Sequence, residues 1–313
     1  MDNITHSLVG WTLGQAGLKT QTRKGLAALI LAANMPDVDV FFGWVAWDPL
    51  AIHRGITHSL VGGAVVMPPI LAGLLLLLDR WQLSRGKTFG SGLPMRVGRL
   101  VALCYIGALT HPLLDLTTTY SVQLLSPFST DWFHADSLFI IDLMLWLLLG
   151  LAIFWSKLSE RKGGAWRRPA QAAIAIALAY IAVNLAISHR AHSKVQQWAG
   201  DRQAEAVFAS PPPFYFWRRD VTWREGDCYR RSSFDPLAGF GDVSECEPTN
   251  MDDPLVHQAI RSDPSLQKFL KWSIMPQAAI ERSRCSAKVT IGDARYGRRG
   301  SSRLSRESAI RTC

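Results

Sequence analysis

Charge is scarce in this chain. Only 19% of its 313 residues are Asp, Glu, Lys or Arg, while 48% are hydrophobic. An average soluble protein carries roughly a quarter charged residues. The apolar residues are also clustered. Residues 59–78 hold no charge, and residues 100–114 hold none beyond any proton on His111. Residues 137–155 hold only Asp142, and residues 170–188 hold none. The first of these runs is long enough to cross a hydrocarbon core of roughly 30 Å. Four such runs argue against a soluble all-helical core.

Other absences narrow the chemistry. There is no nucleophile elbow, no phosphate-binding glycine loop and no dinucleotide fingerprint. The start, MDNITHSLVG, lacks a basic n-region and a small-residue cleavage site, so it is expected to be retained. Between Arg99 and Lys157 there is no Lys or Arg at all. The net charge of +9 is therefore localised: Lys19, Arg23 and Lys24 in one loop, Arg80 to Arg99 in another, Lys157 to Arg168 in a third, and the rest near the C-terminus. This alternation is the positive-inside pattern. Much of the basic charge thus reports topology; the remainder, near the C-terminus, leaves open a patch for anionic lipid or nucleic acid, although nucleic acid is not an expected partner.

With the basic loops in the cytoplasm, the chain is expected to cross, or partly cross, six times. Two short segments, 4–18 and 25–35, precede the four long ones; they fall short of a full crossing and are expected to form a hairpin that is shallow or protein-covered. The opposite face then gathers five polar pieces: THS (5–7), NMPDVD (34–39), HRGITHS (53–59), HPLLD (111–115) and, more weakly, DWFHAD (131–136). The candidate metal ligands are His6, Asp37, Asp39, His53, His58, His111 and Asp115. His111 and Asp115 are four apart and share a face on a helix. Pro112 restricts His111 away from the α region, so a helix is expected to resume near it. His58 is expected to open the third segment, with Thr57 or Ser59 near its N-cap. Asp142 is expected inside a span. Ionisable groups repeatedly placed at the edge of hydrocarbon are costly and usually functional. A mixed imidazole and carboxylate set suits zinc, with manganese or iron as alternatives. Arg54 has the shape to clamp a phosphate in bidentate fashion.

TH near the start, then N-x-P-D-x-D, H-R-G-x-T-H-S and H-x-x-L-D, resembles the membrane-bound metal-dependent hydrolases, also described as LexA-binding, inner-membrane-associated hydrolases. The resemblance covers about residues 1–145, and FYFWRRDVTWREGDCY and VTIGDARYG extend it more weakly into the tail. It implies a metal-dependent hydrolase of a bacterial inner membrane, with the seven His and Asp residues above at the metal. More distantly it resembles the zinc-dependent phospholipase C and single-strand nuclease group, which points to phosphoesters. A LexA-binding role requires a cytoplasmic face, whereas the charge pattern puts the tail on the periplasmic side.

The expected fold is mainly α: a multi-helix integral membrane domain (1–189), a helical linker (190–209) ended by Pro211 to Pro213, a small β-rich soluble domain (210–297) and a disordered tail (298–313). Cys104 lies in a span. Cys228, Cys246, Cys285 and Cys313 lie in the tail, where a periplasmic location permits disulfides and the spacing leaves pairing open. The expected function is hydrolysis of a phosphoester or lipid-linked substrate through a metal-activated water, with Asp37, Asp115 and Arg54 as catalytic residues. The alternatives are a non-catalytic metal-binding membrane scaffold or regulatory protein and, less compatible with ligands confined to one face, a metal permease. The bilayer is the expected partner, together with an anionic or lipid-linked substrate. Oligomeric state is not readable.

Overall fold

A computed structural model describes residues 1–301 and 304–311. The chain divides into two compact units, Met1–Leu185 and Ala186–Cys313.

The first unit is helical. It contains α1 (Asn3–Gln15), α2 (Gly25–Asn34), the single turn α3 (Asp48–Ala51), α4 (Met67–Ser84), α5 (Val97–Leu116), α6 (Leu143–Arg161) and the first part of α7 (Arg167–Ala199). Four helical stretches among the described residues are long and apolar enough to cross a membrane: Gly62–Ser84, Val97–Leu116, Leu143–Arg161 and Arg167–Arg202. Of the six expected full or partial crossings, the two short ones fall short of a full span. At 1.5 Å rise per residue, α1 and α2 reach only about 20 and 15 Å. They form a hairpin enclosed by the longer helices. Ala28, Leu29 and Ala32 of α2 pack with Leu71 and Leu75 of α4 and with Leu100, Leu103 and Cys104 of α5.

Glycine makes that enclosure possible. A Cβ on Gly10 of α1 would lie 2.7 Å from the Leu29 carbonyl oxygen, and one on Gly107 of α5 would lie 2.6 Å from the same atom. The α2 backbone is gripped from two sides at distances only glycine allows. Small residues at helix contacts are the usual route to close packing where lipid offers no hydrophobic drive.

The basic loops meet at one end of this unit. Lys19 pairs with Glu160 at 2.6 Å and Arg23 with Asp79 at 2.7 Å. The Arg23 amide donates to the Pro94 carbonyl, and the Gln171 side chain donates to the Ala16 carbonyl. The start of α1, the end of α2, the entry to α4 and the end of α5 therefore lie at the other end.

Several local expectations change. α5 runs unbroken through Pro112. Such a proline is tolerated where neighbouring helices and Thr or Ser side chains cover the disturbed backbone. His58 does not open a helix: it closes a short 3-10 turn, Ile56–His58, and a π turn, Gly62–Val66, intervenes before α4. The Ser59 hydroxyl does accept the Gly62 amide, as a capping residue would. Asp142 is not inside a span. It caps α6 by accepting the Leu145 amide, and it accepts the Tyr180 hydroxyl at 3.0 Å.

The second unit is antiparallel β with two short helices. Strands β1 (Glu205–Ser210), β2 (Arg219–Glu225), β3 (Cys228–Asp235) and β4 (Gly239–Phe240) form one sheet in that order, and β5 (Glu247–Pro248) pairs with β3. After α8 (Pro254–Ser262) and α9 (Pro264–Trp272), strands β6 (Pro276–Arg282), β7 (Ser286–Asp293) and β8 (Ser305–Arg311) form the second sheet. The helical linker expected over 190–209 is thus corrected: α7 stops at Ala199, Gly200 follows with φ of 54°, and β1 occupies Glu205–Ser210 before the prolines. The tail expected to be disordered is corrected too. β8 completes a register with β7 from Ser286↔Arg311 to Gly292↔Ser305. Cys228 and Cys246 form a disulfide, and Cys285 is disulfide-bonded as well. Cys313 lies outside the described residues.

Candidate metal centre

Four elements deliver side chains to one buried cluster. α1 brings His6, anchored because Asp2 caps the helix and the Thr5 hydroxyl receives the Trp146 indole N–H at 2.8 Å. The turn after α2 brings Asp37 and Asp39. It begins where Asn34 donates to the Ser7 hydroxyl and Pro36 stops the helix. The loop before α4 brings His53, Arg54 and His58. The last turn of α5 brings His111 and Asp115.

The seven sequence-chosen ligands converge. His6 stacks on His111 with ring centroids 3.8 Å apart, and the His58 ring stands edge-on to His111 at 4.7 Å. Asp115 Oδ2 lies 3.3 Å from both His58 Nε2 and His111 Nε2, and Asp115 Oδ1 lies 3.5 Å from His6 Nε2. Asp37 Oδ1 lies 3.2 Å from His58 Nε2 and 3.6 Å from His111 Nε2. The Met1 amino group also contacts Asp115. Three overlapping groups could hold a metal ion: His6, His111 and Asp115; Asp37, His58 and His111; Asp39, His53 and His58.

Hydrogen bonding separates these residues by role. Asp39 is saturated by protein: its oxygens meet His53 Nδ1 at 2.8 Å, the Arg54 amide at 3.0 Å, the Thr57 hydroxyl at 2.7 Å and His58 Nδ1 at 3.1 Å. Burial pushes its carboxyl pKa up. Hydrogen bonds from His53 and His58, with their charge, outweigh this and hold it below the ordinary carboxylate range. Asp37 is likewise held low against burial by His111 and His58. His111 Nδ1 lies 2.6 Å from the Ala33 carbonyl. A donor there fixes the tautomer and leaves Nε2 with its lone pair facing the cluster. In contrast, both His6 nitrogens, Asp37 Oδ2, His111 Nε2 and Asp115 Oδ2 are buried without a hydrogen-bond partner among the described residues. Buried polar atoms are otherwise nearly always satisfied. His6, His111 and Asp115, which lie within reach of one ion, thus each keep an atom without a hydrogen-bond partner, as residues awaiting a cation would.

Arg54 is less free than the sequence suggests. It is buried and reaches Asp115 Oδ1 at 3.2 Å and the Thr118 hydroxyl at 3.0 Å, with its guanidinium 4.5 Å from the Tyr120 ring centre. Its backbone sits at φ 66°, a region that costs a non-glycine residue about 1–2 kcal/mol and clusters at functional sites.

Sequence reasoning missed Thr118, Tyr120 and the Ala33 carbonyl, which carry no periodic or motif signal. Thr57 stood inside HRGITHS but pointed only to capping. The weaker DWFHAD piece does not join the cluster: His134 Nδ1 pairs with Asp136 at 3.0 Å, and Asp131 accepts from Ser129.

Comparison with known proteins agrees with the membrane architecture. The YdjM inner membrane protein family matches residues 1–191, which takes in the whole cluster. The chain belongs to the YdjM family. Among curated relatives, the inner membrane protein YbcI of Escherichia coli strain K12 is 36% identical over 138 residues, covering 42% of this chain and 70% of YbcI. No solved structure matches this YdjM family member.

Proposed function

We propose that this protein is a metal-dependent hydrolase of the inner membrane, acting on a phosphoester or lipid-linked substrate. One observation carries the reading: imidazoles and carboxylates from separate elements, several with buried atoms that lack a hydrogen-bond partner, form overlapping groups that could hold a cation at one end of the helical unit. His6, His58, His111, Asp37 and Asp115 would hold the cation, with zinc the best match to the donor set and manganese or iron next. When bound, such a cation acidifies water and offsets charge on a phosphoryl oxygen.

The remaining work falls to the chain. Asp37 is the least buried carboxylate of the set, at 12% side-chain exposure. Its free Oδ2 is placed to take the proton of an attacking water. Asp39 holds His53 and His58 in orientation. Arg54 fixes Asp115 and directs positive charge toward an anionic substrate. The charge pattern supports a periplasmic site, since the three basic loops occupy the opposite end. The Cys228–Cys246 disulfide is in keeping with a periplasmic C-terminal unit.

Elemental analysis of detergent-purified protein tests the reading. The wild type is expected to retain divalent metal and to cleave a chromogenic phosphodiester. His58→Ala and Asp115→Ala are expected to lose both while remaining folded by circular dichroism. Equal metal content in all three proteins would remove the proposal.

A further inference from the structure

Away from the metal cluster, α1, α5, α6 and α7 enclose a cavity of about 320 Å³, at the lower end of the range for small-ligand pockets. Its walls include Val9, Leu114, Leu145 and Ala177, with no charged residue among them. Three threonines also line it, but their hydroxyls turn back to their own helices. Thr12 donates to the Leu8 carbonyl, Thr110 to Gly107 and Thr117 to Leu114. Only their methyl groups are left to face the cavity, so the space is apolar and does not attract water.

Two features say what covers it. Leu113 of α5 and Leu178 of α7 line the cavity and are 58% and 63% exposed. Both belong to helices long and apolar enough to span a bilayer, so the medium outside is hydrocarbon. Leu114 and Leu145, which line the cavity, belong to the same buried apolar cluster as Met1, whose amino group touches Asp115. One end of the cavity, at Leu114 and Thr117, therefore lies beside the Asp115 end of the metal cluster.

We infer that this cavity holds a single acyl chain of a phospholipid whose phosphate lies at the His/Asp cluster. The inference rests on the hydrolase reading and adds its substrate class: a lipid phosphoester entering sideways from the bilayer between α5 and α7. The limited volume suits one unbranched chain. A polyisoprenoid, much longer and methyl-branched, would overrun it.

The test uses full-length, metal-loaded protein in nanodiscs and a lysophospholipid carrying a diazirine in mid-chain. Photolabelling is expected to concentrate on Leu113, Ala177 and Leu178 rather than on Leu74 and Leu77, the exposed face of α4. Ala177→Trp fills the cavity, and labelling should fall roughly tenfold, what excluding about two methylenes costs, with metal content unchanged. If that variant does not fold, competition serves instead: unlabelled lysophospholipid should suppress the signal and a polyisoprenyl phosphate should not. Even labelling of α4 and α5/α7, or equal suppression by the isoprenoid, overturns the inference. Specific labelling of a protein that binds no metal would leave the cavity assignment standing and sink the hydrolase reading. Bound metal with unspecific labelling would do the reverse.

Discussion

Asp39 and Asp115 are both buried carboxylates among histidines, yet their surroundings assign them opposite work. Asp39 spends its oxygens on His53, the Arg54 amide, Thr57 and His58. Asp115 keeps Oδ2 unpaired. Asp39→Asn is therefore expected to preserve the fold and weaken metal affinity about 10–100-fold, the usual cost of removing an orienting partner. Competition with a chromogenic chelator measures this, and an unchanged affinity would show that Asp39 does not position the histidines. The cluster was legible in the sequence because ionisable residues at the ends of apolar runs are conspicuous. Their division of labour was not, since it depends on contacts such as Ala33 to His111 that no spacing encodes.

Helix α2 illustrates what a sequence shows of an element and what it withholds. Its apolar character was plain, and its shortness pointed to a hairpin that is shallow or protein-covered. The approach of Gly10 and Gly107 to Leu29 decides for the covered arrangement. Gly107→Leu is expected to separate α2 from α5 and lower the unfolding midpoint in detergent, whereas Gly150→Leu, where an added side chain meets open space, should leave it unchanged. At the end of β7, Asp293 receives the Arg295 guanidinium and amide and the Ser273 hydroxyl. Burial raises its pKa, and Arg295 more than reverses this, so the folded value lies below the ordinary one. A depressed carboxylate pKa stabilises the fold above the unfolded value near 3.9 and ceases to do so as pH falls through the folded value. Thermal unfolding of the full chain should thus weaken from about pH 4 downward. Asp293→Ala should make that acid limb shallower and cost about 3–5 kcal/mol, as breaking a buried pair does. Identical acid limbs in the two proteins would contradict the assignment. β8 escaped the sequence reading because SSRLSRESAIRTC is polar and basic, and its strand character comes from pairing with β7.

Taken whole, the molecule has two chemically distinct ends to its helical unit, one basic and one bearing imidazoles and carboxylates. Reporter fusions at Gly86 and Asp131 should give opposite signals, cytoplasmic for the first and periplasmic for the second. A cytoplasmic signal from Asp131 would invert the proposed orientation. The division into a mainly helical membrane part and a β-containing remainder was readable from composition alone. The end of α7 and the two helices between the sheets were not, because the second unit mixes short elements whose polarity resembles loops. The sheltered hairpin also bears on how the protein is made. Neither α1 nor α2 is long enough to settle in a bilayer unaided, yet both leave the ribosome before the helices that surround them. Nascent chains halted ahead of α5 would hold an unhoused pair, so α1 and α2 are expected to find their seat only by late capture, once α5 has been made.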